Sequence, residues 1–227
     1  MTEPYNELVD AMEEEVHKAK WKKVWDQFGI YLILFLVFIL GGAAFWSIQQ
    51  NRAVKLSIVY SNAYEEARSL FYKGDYGLAV QKLQEIIKNG PVNYRTMSRF
   101  LLIDYYQSMN NFSEMKKVYD DIFKDSKIPD FYSELARVNL IRFQLDHENP
   151  TEEQMHTFLA TLSHLYNPNV KKLAAEIEGF IYYQLKNYAK AREIYTHLAQ
   201  MQDVDYDMRT RAQTMIRLIY MKTSQGN

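Results

Sequence analysis

Five histidines, His17, His147, His156, His164 and His197, are the side chains from which a zinc site or a general base would first be built. A helical zinc pair needs two of them one turn apart, and no two stand at that spacing. Asp146-His147-Glu148 gathers polar ligands into one loop, where solvated charge is the expected state. Cysteine is absent, which removes thiolate ligands, a thiol nucleophile and disulfides, and also suits an oxidising compartment. No GxSxG elbow, phosphate loop or dinucleotide fingerprint occurs, and GDYG at 74–77 reads as a turn. The sequence assigns no catalytic residue, no metal, no cofactor and no small-molecule substrate. An enzyme is not expected.

Recognition is the chemistry that the remaining side chains suit. Tyr64, Arg68, Phe71 and Tyr72 fall in one helical stretch, Phe100 and Asp104 in a second, and Glu176, Phe180 and Tyr183 in a third. Aromatics with scattered charge suit a groove for a peptide, a helix or an exposed protein segment. That requires the three stretches to line a common surface. The competing use of the same residues is packing between neighbouring helices.

The elements that would position them repeat. KGDYGLAVQKLQEII (73–87) and LKNYAKAREIYTHLA (185–199) align without gaps, and MNNFSEMKKVYDDIF (109–123) fits the same frame. Gly74 falls on Lys186, Tyr76 on Tyr188, Ala79 on Ala191, Leu83 on Tyr195 and Ile86 on Leu198; Phe112 takes the aromatic place and Met115 the small one. Each unit reads as a helix, a tight turn and a second helix whose first buried position is small. These residues resemble tetratricopeptide repeats. Ala63, Ala67, Gly74, Tyr76, Ala79 and Pro91 stand at consensus places in the first unit, and Gly179, Tyr182 and Ala191 in the last. Small residues let two helices touch, and the aromatic plugs the gap to the next pair.

The third unit departs from this pattern. A helix over 130–145 runs into DHENPTEEQ, where Asn149 or Thr151 would cap a second helix reaching about residue 166, with Pro150 in its first turn. A last helix, 206–222, would cover the open end, with Ile216, Leu218 and Ile219 among its buried residues. The reading is a repeat domain over 51–222, about four helix pairs with the third degenerate plus a capping helix, and a tail at 223–227.

Ahead of the repeats lies FGIYLILFLVFILGGAAFW (28–46). No charged residue occurs from Gln27 to Asn51, and about 20 apolar residues cross a hydrocarbon core roughly 30 Å thick. The large apolar residues of 30–40 together favour insertion by roughly 3–6 kcal/mol. Gly41 and Ala43 offer a cleavage spacing, but the acid-rich segment before the run is long and the run exceeds the usual signal-peptide length. An uncleaved anchor over 27–50 is expected. Lys18, Lys20, Lys22 and Lys23 before it, against Arg52 and Lys55 after it, keep the N-terminus cytoplasmic. Residues 1–26 read as an amphipathic helix whose end, Lys20, Trp21, Lys22, Lys23 and Trp25, would lie along lipid headgroups, with Trp46 at the far interface. Over the whole chain mean hydropathy is −0.37, net charge −1 and pI 6.5, so the remainder is polar and nothing in the totals favours nucleic acid. The fold class is all-α, a single N-terminal transmembrane helix followed by a tetratricopeptide-like α-solenoid.

The layout as a whole resembles the bacterial ancillary Sec translocon subunit family, YfgM-like. The marks are KWKKVWDQFGIYLI entering the span and FWSIQQNRAVKLSIVYSNAYEEA leading from it into the first repeat. That resemblance implies a single-pass inner-membrane protein with a periplasmic repeat domain. Its implied partners are Sec channel subunits, a membrane-anchored periplasmic chaperone and newly exported proteins, with the lipid bilayer and no nucleic acid. A structural scaffold recruiting an envelope-assembly or cell-division complex is the alternative. A receptor facing the cytosol would need the opposite topology.

Overall fold

The computed structural model describes residues 54–224 and, ahead of them, Lys22, Ile30, Tyr31, Phe35, Val37, Phe38, Ile39, Leu40, Trp46 and Gln50. The chain divides into two units, Met1–Val59 and Tyr60–Asn227. In the first unit the described residues are helical and, but for the half-buried Ser57, exposed. Among the described residues no helix is long and apolar enough to cross a membrane. The rest of the expected span, the segment 1–26 with Lys20, Trp21, Lys23 and Trp25, and residues 225–227 lie outside them.

The second unit is all helix and connection, with no strand among the described residues. Its elements are α1 (60–73), α2 (Tyr76–Asn89), α3 (Val92–Ser108), α4 (Phe112–Lys124), α5 (Asp130–His147), α6 (Glu152–Ser163), α7 (Pro168–Gln184), α8 (Tyr188–Gln200) and α9 (Tyr206–Ser224).

Three of the four turns within pairs are one device. The residues Gly74, Asn110 and Lys186 take φ of 85°, 54° and 60°. Each donates its N–H three residues back, to the carbonyls of Phe71, Gln107 and Tyr183 at 3.1, 3.0 and 3.0 Å. Each next residue donates five back, from Asp75, Asn111 and Asn187 to Leu70, Tyr106 and Tyr182 at 2.9, 2.8 and 2.9 Å. This double bond satisfies the last carbonyls of the first helix. The same Asn111 and Asn187 then cap the second helix, accepting from the N–H of Glu114 and Lys190 at 3.3 and 3.2 Å. One residue thus ends one helix and starts the next, which forces a tight antiparallel pair. A left-handed lysine is strained where glycine is not. Lys186→Gly is expected to raise stability by about 1 kcal/mol, read as a later thermal midpoint; no rise would mean that the strain is relieved elsewhere in the turn.

Packing follows from the small positions. Ala67, Ala79, Met115 and Ala191 are wholly buried, as Gly179 is on α7. A Cβ on Gly179 would sit 2.8 Å from the Tyr195 ring of α8, so glycine is what lets these two helices touch. The aromatic that opens α2, α4 and α8 faces a first helix in each case. Tyr76 meets Phe71 and Tyr105 at ring distances of 6.2 and 5.5 Å, Phe112 meets Phe143 of α5 at 4.8 Å, and Tyr188 meets Tyr183 at 5.6 Å. Tyr182 lies under the Lys190 ammonium, 4.8 Å from its ring centre. The core runs as three consecutive clusters. Ala67, Leu83, Leu102, Tyr119 and Phe143 belong to the first, Val138, Ile141, Leu162 and Ile181 to the second, and Tyr195, Leu198, Met208 and Ile219 to the third. Helix α5 serves both the first and the second, which joins the regular pairs to the irregular one.

The third pair shows where expectation and structure differ. Asn149 takes a left-handed φ of 46°, and Thr151 forms the cap: its hydroxyl accepts from the Gln154 N–H while the Gln154 amide accepts from the Thr151 N–H. Helix α6 ends at Ser163, short of residue 166. The reason lies 32 residues away: the Glu134 carboxylate of α5 accepts the N–H groups of Tyr166 and Asn167 at 3.1 and 3.0 Å, drawing this backbone out of the helix. On α9, Leu218 is 39% exposed rather than buried. Met208, Ala212 and Ile219 set the stripe facing α8, and Leu218 lies about 100° round the helix from Ile219.

Candidate protein-binding cleft

Between α5, α7 and α9 lies a cleft of about 450 Å³. Its floor is apolar: Leu145 from α5, Ile177 and Phe180 from α7, and Met215 from α9, with the Tyr195 ring behind them. Arg142, Asp146, Glu176 and Arg211 supply its charge. Helix α7 carries Glu176 and Phe180 four residues apart, hence on one face; Arg142 and Asp146 on α5 share a face likewise.

Glu176 is the electrostatic centre. Arg211 of α9 holds its carboxylate with two bonds, Nε to Oε1 at 2.5 Å and Nη2 to Oε2 at 3.0 Å. Arg142 of α5 approaches at 3.9 Å from the other wall. Glu176 has 15% side-chain exposure against 52% for Arg211 and 46% for Arg142, so the acid is sheltered while both arginines remain open to a ligand. The paired, forked geometry is the stronger kind of charged contact. Tyr195 donates its hydroxyl to the Glu176 carbonyl at 3.1 Å; burial, followed by the Glu176 charge, pushes its phenol well above the ordinary value, so it stays a neutral donor. Thr210 and Thr214 donate to carbonyls one turn back, both at 2.9 Å, leaving their oxygens able to accept.

Of the residues singled out from the sequence, Glu176 and Phe180 line this cleft. Tyr183 packs on Tyr188 and against the third core cluster. Phe71 is held among Tyr76 and Tyr105, and Phe100 against Tyr132 at 6.3 Å. Tyr64 feels the charge of both Arg68 and Asp104: burial first, then Glu65 and Asp104, raise its phenol against the lowering effect of Arg68. Burial also raises the Asp104 carboxyl. Arg68 Nη1 donates to Glu65 at 3.0 Å, and Tyr72 is 82% exposed. These four form a separate patch on α1 and α3. Sequence reasoning missed Arg142, Leu145, Asp146, Thr210, Arg211, Thr214 and Met215. A signal existed for the last four, which recur at three- and four-residue steps on a helix read only as a cover.

Asp146 and His147 stand not in a loop but in the last turn of α5, with Glu148 as its C-cap, because the helix runs on past residue 145; His147 and Glu148 are taken up by packing and pairing. The His147 ring stacks on Phe143 at 4.5 Å, and Glu148 pairs with Lys116 at 2.6 Å. Among the described residues no group of three His, Cys, Asp or Glu is placed to hold a metal.

A stack of helix pairs with a mixed apolar and charged cleft between two first helices and the closing helix is a helical-repeat architecture of the kind that generally serves as a binding module. Residues 21–218 match the tetratricopeptide repeat-like domain, and the chain belongs to that family. No curated protein and no solved structure matches it.

Proposed function

We propose that this chain is a membrane-anchored protein-interaction module. Residues 27–50 span the inner membrane with 1–26 in the cytoplasm, and the repeat unit works on the periplasmic side. There its cleft receives segments of newly exported proteins near the Sec channel, beside a membrane-anchored chaperone. The observation that carries the binding role is the cleft itself, whose apolar floor and open arginines suit a protein segment. The uncharged run 28–46 and the lysine bias before it support the location, and the resemblance to the translocon subunit family supports the partners. Tethering raises the local concentration of the cleft toward emerging chains, so weak contacts suffice.

Photo-crosslinking in intact cells tests this, with the probe placed at Phe180 and, separately, at Tyr64. Capture of channel subunits or a spread of exported proteins from Phe180, weaker from Tyr64, is the expected result. One dominant envelope protein from both sites would replace the export role with a scaffold, and cytosolic proteins would overturn the topology.

A further inference from the structure

One aromatic place in the repeat is left unfilled. Phe112 opens α4, the second helix of the second pair, and its ring lies 4.8 Å from Phe143 on α5, the next first helix. Phe143 stands six residues before the left-handed Asn149, and Phe180 of α7 stands six before the left-handed Lys186. The ring that would meet Phe180 in the same way belongs at the start of α6, and none is there. Tyr76, Phe112 and Tyr188 hold the first helical position of α2, α4 and α8. In the third pair Pro150 comes between the left-handed residue and the cap, and α6 begins with Glu152, an exposed acid.

A pocket of about 160 Å³ remains, walled by Leu145 of α5, Pro150, Met155 of α6 and Phe180. Asn149 and Gln184 complete its lining, which carries no charge, and their side-chain amides make no hydrogen bond with a described residue. Phe143 is 3% exposed, enclosed between Phe112 and the His147 ring. Phe180 is half-buried, belongs to none of the three core clusters and makes no ring contact with a described residue. Leu145 and Phe180 line the cleft as well as the pocket, so the two adjoin.

We propose that this pocket is a subsite for an aromatic side chain of the segment bound in the cleft, phenylalanine above all, the partner supplying the ring that the third pair lacks. The inference rests on the reading of the cleft as a protein-binding site and names what that site selects. The volume suits a ring, since a dry cavity of roughly 150 Å³ lined by Leu, Ile and Phe takes up benzene. The chain's own packing shows the contact: a bound ring would meet Phe180 as Phe112 meets Phe143, with the Met155 sulfur beside it. The uncharged lining disfavours Lys, Arg, Asp and Glu, whose loss of hydration nothing in the pocket would offset. The free amides of Asn149 and Gln184 can bond the backbone on either side of the ring and fix its direction. Such a subsite favours segments that have not yet folded, because folding buries their large apolar rings.

Methionine methyl resonances of the full chain test this, with short glycine-serine peptides carrying phenylalanine or alanine at the centre as probes. Met155→Leu, a volume-conserving change, identifies the Met155 signal. The phenylalanine peptide is expected to bind about tenfold more tightly, as burial of one ring implies, and to move the Met155 signal through the shielding of its ring. The alanine peptide should move Met215, on the cleft floor, and leave Met155 in place. Equal affinity for the two peptides overturns the aromatic subsite, and leaves the cleft standing where Met215 moves. Tighter binding of the phenylalanine peptide with Met155 unmoved puts the ring elsewhere and overturns the subsite too. If neither peptide moves either signal, the cleft reading falls and the subsite with it.

Discussion

Asp125→Ala is expected to lower the free energy of unfolding by about 3–5 kcal/mol, seen as an earlier denaturant midpoint at unchanged slope. Its carboxylate receives Arg99 at 3.1 Å and Arg95 at 3.3 Å, and the Lys127 N–H at 3.1 Å. Arg99 is 8% exposed, and the Nε atoms of Arg95 and Arg99 have no hydrogen-bond partner of their own. Removing the acid strands two guanidiniums in a sheltered site, which costs far more than a surface pair ever contributes. Asp125→Asn keeps an acceptor for Lys127 and should cost less. Burial alone would raise this carboxyl, but the Lys127 N–H and the two arginines outweigh it and hold it below the ordinary carboxylate range. The depressed value means that the ionised form stabilises the fold fully above about pH 4, the unfolded value, and that this stability is lost as pH falls through the lower folded value. The acid limb of the stability curve should flatten in Asp125→Asn. A cost under about 1 kcal/mol for Asp125→Ala, the level of an exposed pair, would show that the cluster does not hold this loop in solution.

That cluster also marks the boundary of what the sequence discloses. Local rules carried the repeat. A turn residue, then Asp or Asn, then an aromatic appears at 74–76, 110–112 and 186–188, and because capping bonds act within four or five residues, such triplets are readable from spacing. The buried small positions at Ala67, Ala79, Gly179 and Ala191 follow from the same register. Hidden were contacts between residues far apart in the chain. Asp125 with Arg99 spans 26 residues, Glu134 with Tyr166 spans 32, and Arg211 with Glu176 spans 35. No periodicity encodes such a pair, since each partner alone reads as an ordinary surface charge. The early end of α6 belongs to the same group: Asn167-Pro168 sets a local limit, and the distant Glu134 carboxylate holds the backbone just before it.

The cleft lies beside the irregular part of the stack. Helix α5 turns its Ala136 and Phe143 to the first core cluster and its Val138 and Ile141 to the second, so the helix that bridges two registers also forms one wall of the site. The other two walls are a regular first helix, α7, and the closing helix, α9. From the sequence, α9 had a covering role alone. In the structure it supplies Arg211 and Met215, and the open end of the solenoid becomes one side of the binding surface.

Gly179→Leu should be the most damaging single change to that surface, at about 3 kcal/mol or more of stability, the upper end for overpacking. A Cβ alone would stand 2.8 Å from the Tyr195 ring, and a leucine adds three further carbons. The ring has nowhere to go. It is 2% exposed among Ala191, Leu198, Ala212 and Ile219, with its hydroxyl bonded to the Glu176 carbonyl. Since Tyr195 also lines the cleft, the substitution should reduce crosslinking from Phe180 even where the fold survives. The aligned position in the first pair suggests the repair: there Ala67 stands in the glycine place and Leu83 in the tyrosine place, both wholly buried. Gly179→Ala combined with Tyr195→Leu should therefore be more stable than the sum of its parts, with a favourable coupling of about 1–3 kcal/mol in a double-mutant cycle. A coupling near zero would mean that the approach of α7 to α8 is not set by this pair, and that the cleft wall it builds is held from elsewhere.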